Sequence, residues 1–166
     1  MWLSRRQFLL SSLSFAGLSA CGFTPVYGPG GTGNRLLGKV AVDAPESPGD
    51  YIFNRRFEER MGRPGAAPYT LSVSKSVDQQ SLGSTTTGNT TRYRLLGRAR
   101  YALRDTGTGA ILLDGKTDAF SGYSTTGSTV ATLAAERDAT ERLMILLADQ
   151  VIDKLILQAY DLPDEA

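Results

Sequence analysis

Residues 91–104 read TRYRLLGRARYALR. The odd positions of this stretch are mostly apolar, whereas arginines take even positions. The arginine row consists of Arg92, Arg94, Arg98, Arg100 and Arg104. Because successive side chains of a β-strand point to opposite faces of a sheet, the alternation predicts a strand with one packed face and one cationic face. The stretch therefore indicates a sheet that is covered on one side.

Two interpretations of the arginine row stay open. No acidic residue occurs between Asp78 and Asp105, although Asp114 and Asp118 on a neighbouring strand could partly screen the row. The row could be an ordinary solvated strand face. It could instead bind anionic groups or a partner, because guanidinium forks match phosphate and carboxylate oxygens.

The sequence before this stretch predicts a strand, a helix and a second strand. Residues 36–42 form the first strand. Ser47 as N-cap, Pro48 in the first turn and Asp50 three residues after the cap predict a helix over residues 48–61. From residue 69 a period of two predicts another strand, and the Ser/Thr/Gly-rich residues 81–91 predict a long hairpin loop. The predicted core face of the helix carries Phe53, Phe57 and Met61.

The sequence after this stretch predicts a turn at 105–109, a strand over 110–123 and a long helix over 130–160. The apolar stripe of this helix is wide enough to cover a sheet. It consists of Leu143, Met144, Leu147, Ala148, Val151, Ile152, Leu155 and Ile156, and the solvent side carries Asp149, Gln150, Asp153 and Lys154. The order β-α-β-β-β-α predicts an α+β, two-layer sandwich. A mostly antiparallel sheet of about four strands would be covered on one face by two helices.

The N-terminus carries export signals. Leu18-Ser19-Ala20-Cys21 follows two arginines and a short apolar segment, which is typical of a bacterial lipobox. We expect cleavage before Cys21 and covalent lipid on its thiol and new amino group, which would hold the protein on a membrane. Residues 4–9, SRRQFL, also resemble the twin-arginine export motif, and a Sec signal remains the alternative.

These signals divide the chain into four parts. We predict a lipoprotein signal peptide at 1–20, a lipidated flexible tether at 21–34, one α+β domain at 35–162 and a tail at 163–166. The glycine-rich residues 28–33 belong to the tether, because no Gly-Lys-Ser/Thr follows them as in a phosphate loop.

Composition excludes several kinds of site. The chain has no histidine, and Cys21 is its one cysteine, which rules out a Cys/His zinc site, a Ser-His-Asp triad and a structural disulfide. We expect no catalytic residue, metal or cofactor apart from the covalent lipid. After loss of Arg5 and Arg6 with the leader, the net charge is close to zero, which argues against a nucleic-acid partner.

Four segments resemble the LptE family of lipopolysaccharide-assembly lipoproteins. The most specific is CGFTPVYG at residues 21–28. The others are YALRD at 101–105, leading into Gly107 and Gly109, and the pair ERDA at 136–139 and LADQV at 147–151. The resemblance covers nearly the whole mature chain.

The resemblance implies a non-enzymatic, lipid-anchored lipoprotein of the outer membrane that faces the periplasm. Such a protein would plug the lumen of an LptD-type β-barrel, assist its assembly and engage lipopolysaccharide, whose phosphates and carboxylates suit the arginine row. Two alternatives remain. One is a purely structural envelope scaffold that does not bind lipopolysaccharide, and the other is a lipid-anchored envelope enzyme that uses isolated carboxylates.

Overall fold

The structure is a computed structural model that describes residue 28 and residues 31–84, 90–125 and 127–162. The predicted leader and the lipidation site at Cys21 lie outside the described residues. The chain forms a 3₁₀ turn (Thr32–Arg35), β1 (Val40–Val42), α1 (Pro48–Met61), β2 (Tyr69–Ser84), β3 (Thr90–Asp105), β4 (Ile111–Ser124), α2 (Thr129–Gln158) and a C-terminal 3₁₀ turn (Ala159–Asp161).

The four strands form one mixed sheet in the order β1-β2-β3-β4. β1 runs parallel to β2 and pairs with Tyr69–Leu71 alone. The β2–β3 and β3–β4 pairs are antiparallel and nearly full length. The predicted α+β class with a mostly antiparallel four-stranded sheet is confirmed.

The core lies between the sheet and the two helices. In β3 the odd-numbered Leu95, Ala99, Tyr101 and Leu103 are buried, as the alternation predicted. The predicted core residues of α1, Phe53, Phe57 and Met61, are buried as well. All eight residues of the predicted α2 stripe are buried, and Leu147 and Val151 are completely inaccessible.

Gly97 is the point of closest approach between α2 and the sheet. A methyl group at this position of β3 would lie 2.9 Å from Leu147 Cδ1 and 3.1 Å from the methyl groups of Leu143. Both leucines are fully buried. The helix therefore packs directly on strand backbone, and a side chain at position 97 has no room.

Helix α1 begins and ends as its sequence predicts. The Ser47 hydroxyl accepts a hydrogen bond from the Asp50 backbone N–H at 3.2 Å, and the Ser47 N–H donates to the Asp50 carboxylate at 2.9 Å. This reciprocal pair forms a capping box. Gly62, with a φ of +78°, ends the helix in a conformation that favours glycine.

The predicted turn between β3 and β4 is held by Asp105. Its Oδ1 accepts hydrogen bonds from the Thr108 N–H at 2.7 Å and from the Thr108 hydroxyl at 2.8 Å. These bonds lower the pKa of the Asp105 carboxyl below its ordinary value. Gly109, at a φ of +71°, closes the turn through its N–H to the Asp105 carbonyl.

Several predicted boundaries differ from the structure. β1 begins at Val40 rather than residue 36, because the chain turns at Gly38 (φ +67°), whose N–H bonds to the Met61 carbonyl. The hairpin loop predicted at 81–91 is wrong in extent: β2 continues to residue 84 and β3 starts at residue 90. Near the predicted tether boundary, residues 32–35 form a 3₁₀ turn.

Ion pairs join the two helices along their outer edge. Asp149, half-buried on α2, accepts two hydrogen bonds from Arg56 at 2.8 and 3.2 Å and one from Arg60 at 3.1 Å. Arg60 also binds Asp153 at 2.9 Å. Burial raises the pKa of Asp149, but the hydrogen bonds and charges of the two arginines lower it by more.

Candidate functional site

The open face is the surface of the sheet opposite the helices. It is formed by the even-numbered residues of β3 and by the residues that pair with them on β2 and β4, because cross-strand partners share a face. In β3 these residues are Arg92, Arg94, Leu96, Arg98, Arg100, Ala102 and Arg104. All five predicted arginines therefore lie on one face.

Three of the five arginines have partners within the domain. Arg98 forms an ion pair with Asp78 on β2, and both side chains are more than half exposed. The Arg94 guanidinium carbon lies 4.4 Å from the centroid of the Phe120 ring on β4. Arg104 donates to the Gly109 carbonyl at 3.3 Å. The domain thus neutralises the charge of Arg98 and holds the side chains of Arg94 and Arg104 in place.

The other two arginines are exposed. Arg92 and Arg100 make no side-chain hydrogen bond or ion pair with any described residue. Arg100 lies directly opposite Lys116 of β4, which is also exposed. Because like charges directly opposite one another on a sheet repel, an anion placed between these side chains would relieve the repulsion.

Asp114 and Asp118, the acids predicted to screen the arginine row, flank Lys116 on β4. Asp118 is opposite Arg98, and Asp114 is opposite Ala102. The acid that forms the ion pair with the row is Asp78, although it precedes Arg98 by twenty residues. Within the described open face, the five arginines and Lys116 outnumber these three acids, so the face is cationic.

A groove of about 1110 Å³ runs beside Arg100 and Lys116. Arg100 and Lys116 line it, together with the hydroxyl-bearing Ser72 and Ser74 of β2 and with Asp43 and Glu46 from the loop after β1. The groove combines hydroxyl groups and cations on the sheet with a carboxylate rim. Such a lining offers both hydrogen-bond donors and acceptors to a polar ligand.

Sequence reasoning missed Phe120 and Lys116. Phe120 is 61 % exposed, and with Leu96 opposite it the ring adds an apolar element to the open face. In β4 the buried residues are odd-numbered: Leu113, Thr117, Ala119, Ser121 and Tyr123. The alternation that identified β3 therefore also places positions 116 and 120 on the open face.

Neither a metal site nor a membrane-spanning helix is found in the described part of the chain. No three acidic, histidine or cysteine side chains among the described residues converge where they could hold a metal ion. None of the helices described has both the length and the apolar character needed to cross a membrane.

Solved structures with the same fold include three bacterial lipoproteins. A candidate lipoprotein of Caulobacter crescentus CB15 is 24 % identical, with a TM-score of 0.63 over 77 % of this chain and 96 % of its own. Rare lipoprotein B of Shewanella oneidensis is 15 % identical, with a TM-score of 0.57 over 74 % and 96 %. The minor lipoprotein of Acinetobacter baumannii is 16 % identical, with a TM-score of 0.55 over 77 % and 98 %.

Sequence comparisons give the family. Among curated protein sequences, none matches the chain significantly. The family model for LptE, described as lipopolysaccharide-assembly, matches residues 37–155. This span is more than half of the chain and contains both helices up to Leu155 and all four strands. The chain therefore belongs to the LptE family of lipopolysaccharide-assembly proteins.

Proposed function

We propose that this protein is a lipid-anchored outer-membrane lipoprotein that sits in an LptD-type β-barrel and engages lipopolysaccharide through its open face. Family membership supports the place in lipopolysaccharide assembly. The observation that carries the ligand assignment is the cationic open face, with Arg92 and Arg100 free to bind an anion and Lys116 opposite Arg100. The protein acts by binding and has no catalytic role.

The chemistry of the open face fits a phosphorylated glycolipid. Guanidinium groups bind phosphate oxygens in pairs, and an ammonium group adds a compact charge. Alternate residues of a strand are about 6.6 Å apart, so Arg92, Arg94 and Arg100 can together bind several anionic groups of one molecule. Arg98, which is paired with Asp78, lies between Arg94 and Arg100. The Phe120 ring offers an apolar contact beside them.

The lipid anchor is proposed from the lipobox that ends at Cys21. The described domain begins ten residues later, at Gly31. Covalent lipid would keep the domain at the periplasmic surface of the outer membrane, where a barrel partner and lipopolysaccharide are both found.

A structural scaffold is the second candidate, and the Arg98–Asp78 ion pair favours it. That pair demonstrates that a protein carboxylate can satisfy an arginine of the open face. Acidic residues of a barrel wall could bind Arg92 and Arg100 in the same way, without any glycolipid. The two candidates differ in whether the isolated protein binds lipopolysaccharide.

The test compares Arg92→Glu/Arg100→Glu with Arg137→Glu/Arg142→Glu in the full chain. The second pair makes the same charge change on α2, away from the open face. We expect the first variant to lose binding of purified lipopolysaccharide and the second to keep it. Remaining binding by the first variant should depend less on salt, because fewer charges take part.

Two further measurements complete the test. Co-purification from membranes reports on the barrel partner, and thermal unfolding checks that both variants are folded. The scaffold would be favoured if Arg92→Glu/Arg100→Glu no longer co-purified with the barrel and the wild type did not bind lipopolysaccharide. Normal binding of both partners by Arg92→Glu/Arg100→Glu would contradict the assignment of the open face.

A further inference from the structure

The described chain enters the domain at the C-terminal end of α2. Arg35, in the first 3₁₀ turn, donates hydrogen bonds to the carbonyls of Ala159 at 3.0 Å and of Leu162 at 2.9 Å. Leu36, Ala159 and Leu162 are buried at this junction. The segment nearest the predicted lipid is therefore fastened to one end of the domain, which we call the anchored end.

Two large apolar side chains are exposed at the anchored end. Leu157, in the last turn of α2, is 74 % exposed, and Tyr160, in the C-terminal 3₁₀ turn, is 79 % exposed. They are three residues apart, a spacing that places helical side chains next to each other. Neither side chain makes a hydrogen bond or ring contact with another described residue. Neither contributes to the core or to the open face.

The covalent chain limits how far the anchored end can lie from the membrane. Gly31 follows Cys21 by ten positions, so the two can be at most about 35 Å apart. The other end of α2 is farther, because thirty residues of α-helix span about 45 Å. The membrane is therefore within reach of Leu157 and Tyr160, while the far end of the same helix is directed away from its attachment point.

We propose that Leu157 and Tyr160 form a membrane-contact site that seats the anchored end on the lipid surface. This inference rests on the proposed lipid anchor. Tyrosine suits the boundary between headgroups and acyl chains, because its ring is apolar and its hydroxyl is polar. The leucine side chain adds apolar area that the membrane would bury. With lipid at Cys21 and this contact at the end of α2, the domain has two attachment points and a fixed orientation to the membrane.

The processed chain is suited to a fluorescence test. Trp2 is the only tryptophan of the chain and lies in the predicted leader, so the mature protein should have none. Tyr160→Trp and, separately, Leu157→Trp place a single probe at the anchored end. Val130→Trp is the matched control, because Val130 is 78 % exposed and lies near the opposite end of α2.

Each processed full-length variant is incorporated into phosphatidylcholine vesicles with or without brominated acyl chains. We expect blue-shifted emission and loss of intensity in brominated vesicles for Tyr160→Trp and Leu157→Trp, and neither change for Val130→Trp. Circular dichroism verifies the fold of each variant, and the mass of the N-terminal peptide verifies the lipid.

The outcomes separate the inference from the anchor on which it rests. A lipidated protein with no quenching at positions 157 and 160 would overturn the membrane contact and leave the anchor intact. Equal quenching at position 130 would overturn the orientation. An N-terminal peptide without lipid would overturn the anchor and the contact together.

Discussion

Lys75 is a charged residue on the packed side of β2. Its side chain is 10 % exposed; the ammonium lies 2.8 Å from Asp50 Oδ1 and 4.5 Å from the centroid of the Phe53 ring. Burial raises the pKa of Asp50, but hydrogen bonds from Lys75 and Ser47 and the charge of Lys75 lower it by more, to about 2. The ion pair thus links the first turn of α1 to the sheet.

This ion pair should make the domain sensitive to acid. The folded-state pKa of Asp50 lies below its ordinary value of 3.8. The stabilisation is therefore complete above pH 4 and is lost as the pH falls towards 2. It amounts to at most about 2 kcal/mol. We expect the free energy of unfolding to fall more steeply between pH 4 and pH 2 in the wild type than in Asp50→Asn. Identical pH profiles in denaturant titrations would contradict this assignment.

Gly97 tests the packing of α2 on the sheet at the level of one methyl group. Gly97→Ala should lower the free energy of unfolding by about 1–3 kcal/mol, because the methyl group meets the fully buried Leu143 and Leu147. Gly83→Ala is the control within β2: its methyl group would contact only Thr91 Oγ1, at 3.5 Å. Chemical denaturation should separate the two variants, and equal stabilities would show that the leucines can move aside.

Helix α2 has one face that holds the domain together and one that does not. Leu147→Ala removes a fully buried side chain and should cost about 2–4 kcal/mol through the cavity that it leaves. Asp153→Ala should change the free energy of unfolding little, because the Asp153 side chain is 60 % exposed and its bond to Arg60 is near the surface. Small, equal effects in urea titrations would mean that the helix face has been misassigned.

The elements also differ in how well their sequences predict them. Helix α1 and the stripe of α2 were predicted to within a few residues, because caps and periodicity are local signals. The ends of β2 and β3 were misread as loop, since their Ser/Thr/Gly composition is poor in apolar residues although the backbones pair to residues 84 and 90. Local composition does not reveal a cross-strand partner.

Contacts between distant parts of the chain were not predictable. Asp149 and Asp153 were both assigned to the solvent side of α2, yet Asp149 is half-buried between Arg56 and Arg60, which precede it by about ninety residues. At the candidate site, alternation placed all five arginines on one face. It did not indicate that Arg98 pairs with Asp78 or that Lys116 lies opposite Arg100, since both depend on strand register.

The proposed lipid anchor leads to a specific prediction about the processing and location of the protein. Cys21→Ala removes the thiol that acyl transfer requires, so we expect an unprocessed precursor and no protein in the outer-membrane fraction. Cell fractionation, with the mass of the purified chain, checks both effects. Cys21→Ser is a control for side-chain size. Processed protein in the outer membrane after either change would contradict the lipobox assignment.

The short β1 strand leaves a long edge on the sheet. β1 pairs with three residues of β2, and in the described structure the rest of β2 is paired on its β3 side alone. An unpaired strand edge can recruit strands from other chains and start aggregation. Lys75 lies in the middle of this edge, and its side chain points to the packed face, where it binds Asp50 of α1. An inward-pointing charge on an edge strand disfavours pairing with strands of other chains. We therefore expect this ion pair, besides holding β2 to the helix layer, to limit aggregation along the edge.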